Sequence, residues 1–470
     1  MNIKGKLMRN QLRKYAESFF IYYTVFSIIV TFIGRVTPIK QMIGANIEGT
    51  LYNLLALGGG VLWLMYWLIR EDLVPLRYLV TLYVFMTIMV VSSVVNMKYG
   101  IVDNIKTLIW TVIQLGVIFV YPKLLGKEKV SKLFDRIWEA IAFFWFFPVV
   151  YAFSQFLREI EYWTEADTGR WIRQGFIENR LFGIFNDPNY AAMTSFYVVI
   201  ALIYIWGKRT NKIERMLICV NLLVQVLYIR LSGSRTVLVC MVVSFSIGSM
   251  IFLKNRCIEK NKKMKLAYFI VIPVAITIMV ISVNYVSGKV CLKVAEVYQD
   301  SIKDITSSET TGNGENSISI DRTDTELDNI SNNRTTIWKS YLSLLKGDVL
   351  LGGSPRNFMQ KWIEKEPTCY LAEKGMETHN GYLSVLVGTG ILGFSSVLVF
   401  IIFYLKDLLQ YVLKKEIVPT NVLMIEMLLC AFVTFTFFFT DLFFVHSLTS
   451  VLFWFLCGMS VLWLSEESTK

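Results

Sequence analysis

The chain alternates long apolar runs with short polar segments. Runs of about 20 apolar residues are long enough to cross the hydrocarbon core of a bilayer as helices. The pattern predicts about twelve such helices, at residues 19–33, 50–69, 74–95, 107–121, 137–157, 189–206, 216–229, 236–253, 266–287, 381–405, 422–441 and 448–464. We therefore expect an all-α polytopic membrane protein.

One long polar stretch divides this pattern. Residues 1–287 contain the first nine predicted helices with short loops, and residues 381–470 contain the last three. Residues 288–380 lie between them and form a single long loop. Its part 301–333 is rich in Ser, Thr, Asn, Asp, Glu and Gly, a composition typical of a mobile segment.

The later part of the long loop changes character. Apolar residues there recur at helical spacing, namely Ile337, Trp338, Tyr341, Leu342 and Leu345. This spacing predicts a short amphipathic helix near 334–346, and we expect it to lie flat on the membrane surface.

Composition agrees with the membrane assignment, and the basic residues predict the orientation. Hydrophobic residues make up 54% of the chain and charged residues 18%. With the N-terminus in the cytoplasm, the cytoplasmic segments carry 26 Lys and Arg and the short outer segments carry 10. The positive-inside rule then places both termini in the cytoplasm and the long loop outside. The net charge of +11 follows from this topology, so it does not indicate a nucleic-acid partner.

The two sides differ in the kind of basic residue. Of the 26 cytoplasmic residues, 18 are lysine, whereas 7 of the 10 in the short outer segments are arginine. The seven are Arg35, Arg158, Arg170, Arg173, Arg180, Arg230 and Arg235. Arginine holds phosphate oxygens with a bidentate fork, so this bias predicts a phosphate or diphosphate bound on the outer side. Some of these arginines can instead pair with nearby glutamates, which we expect for Arg158.

Cysteine and histidine do not predict a metal site. The chain has no Cys and His spacing suited to zinc, and its two histidines lie far apart. Cys291 and Cys369 both fall in the long loop, and the sequence leaves open whether they pair.

His379 lies where the long loop turns apolar again. Histidine is the side chain best suited to transfer a proton near neutral pH, so this junction is a candidate for catalysis. An interfacial histidine with no chemical role is the alternative. The second histidine, His446, is expected to have such an interfacial role.

A succession of short motifs resembles a known family. Residues 180–191 read RLFGIFNDPNYA and open one predicted helix, and residues 232–235 read SGSR and open another. Arg334 and Trp338 follow, then residues 351–353 (LGG), and residues 379–383 (HNGYL) precede three glycines at 388, 390 and 393. In order and spacing this succession resembles the O-antigen ligase and O-antigen polymerase family of bacterial envelope enzymes. The resemblance covers about residues 180–395.

The resemblance implies a metal-independent, membrane-embedded glycosyltransferase in the cytoplasmic (inner) membrane that needs no cofactor. Its donor would be an undecaprenyl diphosphate-linked oligosaccharide, its acceptor a glycan, and its candidate partners a chain-length regulator and a flippase of the same pathway. By matching motifs, Arg180 and Arg235 would hold the diphosphate, and His379 would act as the base or orient the acceptor. Further candidates for substrate binding are Arg170, Arg173, Arg334, Arg356 and Asn380. The glycines at 388, 390 and 393 would serve helix packing or make room for a lipid chain.

Three functions remain open at this point. The long outer loop favours a polymerase that joins lipid-linked repeat units of a capsule, exopolysaccharide or O-antigen. A ligase would use the same donor with another acceptor. A lipid-linked glycan flippase or transporter is the alternative of another class, but the sequence shows no related halves and few ionisable residues near mid-membrane.

Overall fold

The computed structural model describes residues 3–69, 74–165, 171–306, 318–321, 333–414 and 416–465. Long helices form a bundle, and a small sheet and three short helices lie at one end of it. The helices are α1 (Ile3–Ile33), α2 (Thr37–Ile69), α3 (Leu76–Val95), α4 (Ile101–Ile113), α5 (Pro122–Leu157), α6 (Pro188–Lys208), α7 (Lys212–Ser232), α8 (Arg235–Glu259), α9 (Tyr268–Thr306), α10 (Arg334–Leu344), α11 (Phe358–Lys365), α12 (Tyr370–Lys374), α13 (Gly381–Leu413), α14 (Thr420–Phe438) and α15 (Leu448–Ser465). The strands are β1 (Glu161–Glu165), β2 (Trp171–Ile177) and β3 (Arg180–Gly183).

The helices confirm an all-α polytopic membrane protein. Each of the predicted spans coincides with one helix, from α1 to α9 and from α13 to α15. Among the described residues, ten helices are long and apolar enough to cross a membrane. One of the ten is α4, which continues as a π-helix through Gln114–Ile118 and so reaches 18 residues. The other two are α15, whose apolar part Leu448–Leu464 is shorter, and α7, whose first turn carries Lys212, Glu214 and Arg215.

The bundle has a buried centre and a lipid-facing edge. Helices α6 and α15 are almost wholly buried at the centre. Around them, α8 packs against α14 and α3 packs against α13. Helix α9 exposes apolar side chains along its length, for example Ile270 at 71% and Tyr285 at 64%. Such a continuous apolar surface is stable only in contact with lipid.

The sheet connects α5 to α6. Its three strands are antiparallel in the order β1-β2-β3, and a bridge between Val36 and Phe185 ties the following segment to the turn between α1 and α2. The buried amide of Gln174 donates to the carbonyl oxygen of Phe185 at 2.9 Å. The hydropathy pattern did not predict this sheet, because its strands are short and mix charged with aromatic residues.

The long loop differs from its prediction in two ways. Helix α9 continues to Thr306, so residues 288–306 are helical. Most of the tract 301–333, predicted to be mobile, lies outside the described residues.

The amphipathic helix is confirmed as α10, but its apolar face packs inside the protein and not on the membrane surface. Its apolar residues Ile337 and Tyr341 are buried in a second core with Trp362 and Leu383, because α11, α12 and α13 offer an apolar face within the protein.

Two glycines hold the long loop on α13. Helix α13 is kinked at Gly390, whose φ of 67° is in a region that favours glycine. The turn at Gly352 fills the kink, where the amide of Ile391 donates to the carbonyl of Val349 at 2.7 Å and that of Gly353 to the carbonyl of Val387 at 2.8 Å. The kink therefore packs against the loop and does not leave room for a lipid chain. Both Cys291 and Cys369 are free cysteines.

The glycine contact predicts a stability difference between two matched variants. Gly126 in α5 has φ 72° and ψ 165°, close to the φ 67° and ψ −171° of Gly390. A Cβ at Gly390 would lie 2.2 Å from the carbonyl oxygen of Leu350, whereas a Cβ at Gly126 would meet nothing within 4 Å. Backbone strain costs of order 1–3 kcal/mol at either position, but only Gly390→Ala also forces the turn off the helix.

We expect Gly390→Ala to lower the midpoint of thermal unfolding in detergent clearly more than Gly126→Ala. Equal decreases for the two variants would show that the turn does not depend on close contact with the kink.

Candidate functional site

The main cavity opens where the short helices and the sheet meet the bundle. We call this the cavity end; α6, α8, α13 and α15 all begin there. The cavity has a volume of about 330 Å³, and its wall comes from several separate segments of the chain. The lining residues are Arg35 in the turn after α1, Tyr190 in the first turn of α6, Tyr341 in α10, residues 355–360, residues 377–381 with Ser384, and Phe439, Thr440, Asp441, Phe444, Val445 and Ser447.

Three helices begin beside this cavity. Tyr190 in the first turn of α6, Gly381 at the start of α13 and Ser447 just before α15 all line its wall. The amide groups in the first turn of a helix carry partial positive charge and favour anions. Asp187 and Asn380 already accept the first amides of α6 and α13, so the helix starts add a favourable potential but not free donors.

His379 lines the cavity on a firmly held loop. Its φ of 47° is uncommon for a residue other than glycine, and such strain persists only where the surroundings impose it. Helix α10 supplies the restraint, because Trp338 donates to the carbonyl of Thr378 and Tyr341 to the carbonyl of Met376, each at 2.9 Å. The imidazole stacks on the ring of Phe439 with centroids 5.7 Å apart.

Asn380 begins α13 directly after this histidine. Its side-chain oxygen accepts from the amides of Tyr382 and Leu383, both at 3.0 Å. An asparagine in this position caps the helix and fixes its start. Asn380 also lines the cavity, so its predicted role in substrate binding stays a prediction beside this structural one.

Three of the predicted arginines lie beside the cavity. Arg180 donates to the carbonyl of Ser232 at 2.9 Å and to the side chain of Asn189 at 3.3 Å. Arg235 begins α8, three residues after Ser232. Arg334 donates to the hydroxyl of Thr236 at 3.3 Å and lies 6.0 Å from the centroid of the Phe439 ring.

The fold thus brings Arg180, Arg235 and Arg334 together around the start of α8. Among the described residues that form the cavity wall, the arginines are Arg35 and Arg356.

Arg35 was counted among the outer arginines but was not selected from the sequence as a site residue. It is 9% exposed, its guanidinium donates to Thr449 at 3.1 Å, and its Cζ lies 4.0 Å from the centroid of the Tyr190 ring. The one sequence feature that could have pointed to Arg35 as a site residue is its position at the end of the first apolar run. The residues that surround it could not be deduced, because they lie far away in the sequence.

The remaining arginines have other positions. Arg173 forms an ion pair with Glu178 within the sheet, and Arg230 forms one with Asp321. Arg158 directly follows α5 and donates to Ser154, and among the described residues it forms no ion pair with the glutamates expected as its partners. Arg170 lies outside the described residues.

Two carboxyl groups near the cavity have raised pKa values. Burial raises the pKa of Asp441 to about 6, against the opposing effect of its hydrogen bonds from the amides of Phe443 and Phe444 and of the nearby Arg356. Burial also raises the pKa of Asp187, although Arg180 and Arg35 favour its charged form. Asp187 caps α6 by accepting from the amide of Asn189 at 2.7 Å.

His446 has no place in the cavity wall. It is 7% exposed, stacks on Trp110 with centroids 4.2 Å apart, and contacts the hydroxyl of Ser27 at 3.2 Å. Burial lowers its pKa to about 3, so the ring stays neutral near neutral pH. The interfacial position expected for His446 is therefore wrong, because helices α1, α2 and α4 enclose it.

Comparison with known proteins confirms the family resemblance. Residues 220–398 match the family described as O-antigen ligase. No curated protein matches the chain. The matched segment contains Arg235, Arg334, Arg356 and His379 and supports a membrane enzyme that acts in O-antigen or polysaccharide assembly. Arg35 and Arg180 precede it, so the cavity end combines matched and unmatched parts of the chain.

The raised pKa of Asp441 predicts a pH-dependent effect on stability. A carboxyl whose folded pKa lies above its unfolded value stabilises the fold fully below the unfolded pKa, and this contribution is lost as pH rises through about 6. Asp441→Asn keeps the acceptor oxygen for the two amides and cannot ionise. We expect this variant to unfold at a higher temperature than the wild type at about pH 7.5 and at the same temperature at about pH 4.

The measurement is the difference in thermal midpoint between the two proteins across this pH range. A difference that stays constant with pH would mean that Asp441 ionises in the folded state as easily as in the unfolded chain.

Proposed function

We propose that this membrane protein, whose residues 220–398 match the O-antigen ligase family, is a polysaccharide polymerase. It would join oligosaccharide repeat units carried on a polyprenyl diphosphate and work without a metal ion. The observation that carries the proposal is the cavity wall itself. His379, Arg35 and Arg356 line one cavity at the starts of three helices, so the candidate base and two permanent cations share one cavity.

The reaction places opposite demands on the two sides of the cavity. A hydroxyl oxygen of the acceptor sugar attacks the anomeric carbon of the donor, and the bond from that carbon to the diphosphate breaks. The polyprenyl diphosphate leaves with the bonding electron pair, so negative charge builds up on its oxygen. Guanidinium groups and helix N-termini stabilise such charge best when they are fixed before the reaction.

The proton of the attacking hydroxyl needs an acceptor. A sugar hydroxyl is a weak nucleophile at neutral pH, and a positioned base raises its reactivity. His379 would take this proton, and the restraint of its loop by Trp338 and Tyr341 would keep the imidazole in place. Arg180, Arg235 and Arg334 would hold the diphosphate from the start of α8.

The orientation belongs to the same proposal. We place the cavity end on the outer face of the cytoplasmic membrane, with both termini in the cytoplasm, because of the bias in lysine and arginine. The lipid chain of the donor would lie along the exposed apolar surface of the bundle. A chain-length regulator and a flippase are its proposed partners.

A ligase is the second candidate, because the matching family is described as O-antigen ligase. The test is a purified enzyme in nanodiscs with a synthetic lipid-linked repeat unit as the only substrate, in the presence of a chelator. A polymerase makes products of several repeat units and releases the polyprenyl diphosphate. If products form only after a different acceptor is added, the enzyme is a ligase.

The arginines provide the first prediction from this proposal. Arg180→Lys and Arg235→Lys keep the charge but lose the bidentate fork. We expect transfer to fall by about 10²-fold in each, the scale for loss of one donor to developing negative charge. Arg158→Lys is the control and should be nearly unchanged, since its bonds stay within α5. An Arg235→Lys enzyme with a normal rate would remove this residue from diphosphate binding.

His379 provides the second prediction. In His379→Ala the rate of transfer should fall by on the order of 10²–10⁴, because a general base acts in the transition state. Binding of the donor should change little. His446→Ala is compared with it at equal levels of folded protein, because His446 is buried and neutral. If His379→Ala elongated the donor at a near wild-type rate, His379 would not be the base. The base would then be a carboxylate, or the protein would be a flippase.

A further inference from the structure

Arg35 does not belong to any motif of the family resemblance, and it lies outside the matched segment 220–398. It follows α1 directly and lies in the turn before α2. The amides of Arg35 and Val36 donate to the carbonyls of Phe32 and Ile33, and that of Thr37 donates to the carbonyl of Ile184. This turn is therefore fixed to the segment that leads from the sheet into α6.

The guanidinium of Arg35 is buried yet faces the cavity. Its contacts are the hydroxyl of Thr449 at 3.1 Å and the face of the Tyr190 ring at 4.0 Å. Among the described residues, no carboxylate lies within ion-pair distance of it. Arginine has five N–H donors and does not lose its proton in proteins, so two neutral neighbours leave much of its charge unsatisfied.

A buried charge of this kind is costly unless a partner compensates it. Among the described acids near it, Asp187 interacts electrostatically with Arg35, and its Oδ1 accepts from the amides of Asn189 and Tyr190. Glu377 and Asp441 line the same cavity without forming an ion pair with Arg35. The structure thus keeps a permanent cation in the wall of a cavity of about 330 Å³ whose helix N-termini also favour anions.

We propose that Arg35 binds the diphosphate of the lipid-linked donor inside the cavity. The inference rests on the proposed function and adds a specific contact to it. Arg35 would hold one phosphate from the side of α1 and α15, and Arg180, Arg235 and Arg334 would hold the diphosphate from the start of α8. Thr449 and Tyr190 would orient the guanidinium so that its remaining donors point into the cavity.

A purely structural role is the competing explanation, in which Arg35 only supports Tyr190 and Thr449. The two roles differ in one measurable quantity, the ratio of affinities for a diphosphate and a monophosphate with the same lipid chain. A residue that contacts the diphosphate changes this ratio. A residue that merely supports its neighbours changes stability or both affinities together.

The experiment measures binding of geranylgeranyl diphosphate and geranylgeranyl monophosphate to the full-length protein in nanodiscs. For Arg35→Gln we expect the Kd for the diphosphate to rise by roughly 10- to 100-fold, the range for loss of hydrogen bonds to a charged group. The Kd for the monophosphate should rise much less. Arg35→Lys should lie between the wild type and Arg35→Gln, and it serves as the variant to measure if Arg35→Gln does not fold.

Arg158→Gln is the matched control, because this exposed arginine bonds only within its own helix. An unchanged preference for the diphosphate in Arg35→Gln or Arg35→Lys would overturn the inference, and the proposed function would stand if wild-type protein still made polymer. Loss of the preference in a protein that transfers no glycan would support the anion site and overturn the proposed reaction. A wild type that binds both lipids equally would overturn the role of Arg35.

Discussion

A permanently charged guanidinium buried at the end of an apolar bundle is the constraint around which the cavity end is organised. Arg35 stays protonated, so its positive charge must be compensated either by neighbouring residues or by a bound ligand. Tyr190 supplies the face of a ring and Thr449 a hydroxyl oxygen. Both are neutral, and the N-termini of α6, α13 and α15 add further positive potential. The proposed binding of an anion would relieve this arrangement.

Two of the three described acidic residues near the cavity, Asp187 and Asp441, cancel little of this potential, and the third, Glu377, is exposed. Asp187 and Asp441 accept backbone amides, and burial disfavours the charged form of each. Their carboxyl groups thus fix the starts of α6 and of the 441–444 turn. Arg180, Arg235 and Arg334 lie close by, which makes positive charge predominate around Phe439.

His379 depends on a second set of contacts. The turn at Gly352 enters the kink of α13 at Gly390, and α10 packs on the same helix through Ile337 and Tyr341. From there Trp338 and Tyr341 hold the loop that ends at His379. The position of the candidate base is therefore set by how the long loop packs against α13. A loop lying on the membrane surface would not fix it.

The sequence predicted the parts of this structure that depend on local pattern. Each apolar run became a helix, and His379 was recognisable because it marks the junction between the loop and α13. The surroundings of Arg35 were not predictable, because Thr449 lies 414 positions away. The sheet was missed because strands of four to seven residues leave little periodicity. The partner of the amphipathic helix α10 was missed because spacing shows an apolar face but not what covers it.

The central claim is that one cavity holds the diphosphate within reach of His379. An experimental structure of the protein in nanodiscs with bound geranylgeranyl diphosphate tests it most directly. We expect the two phosphates between Arg35, Phe439 and the start of α8, with His379 in the same cavity and the lipid chain along the apolar surface. Phosphates bound at the opposite end of the bundle, or on the surface away from His379, would contradict the account.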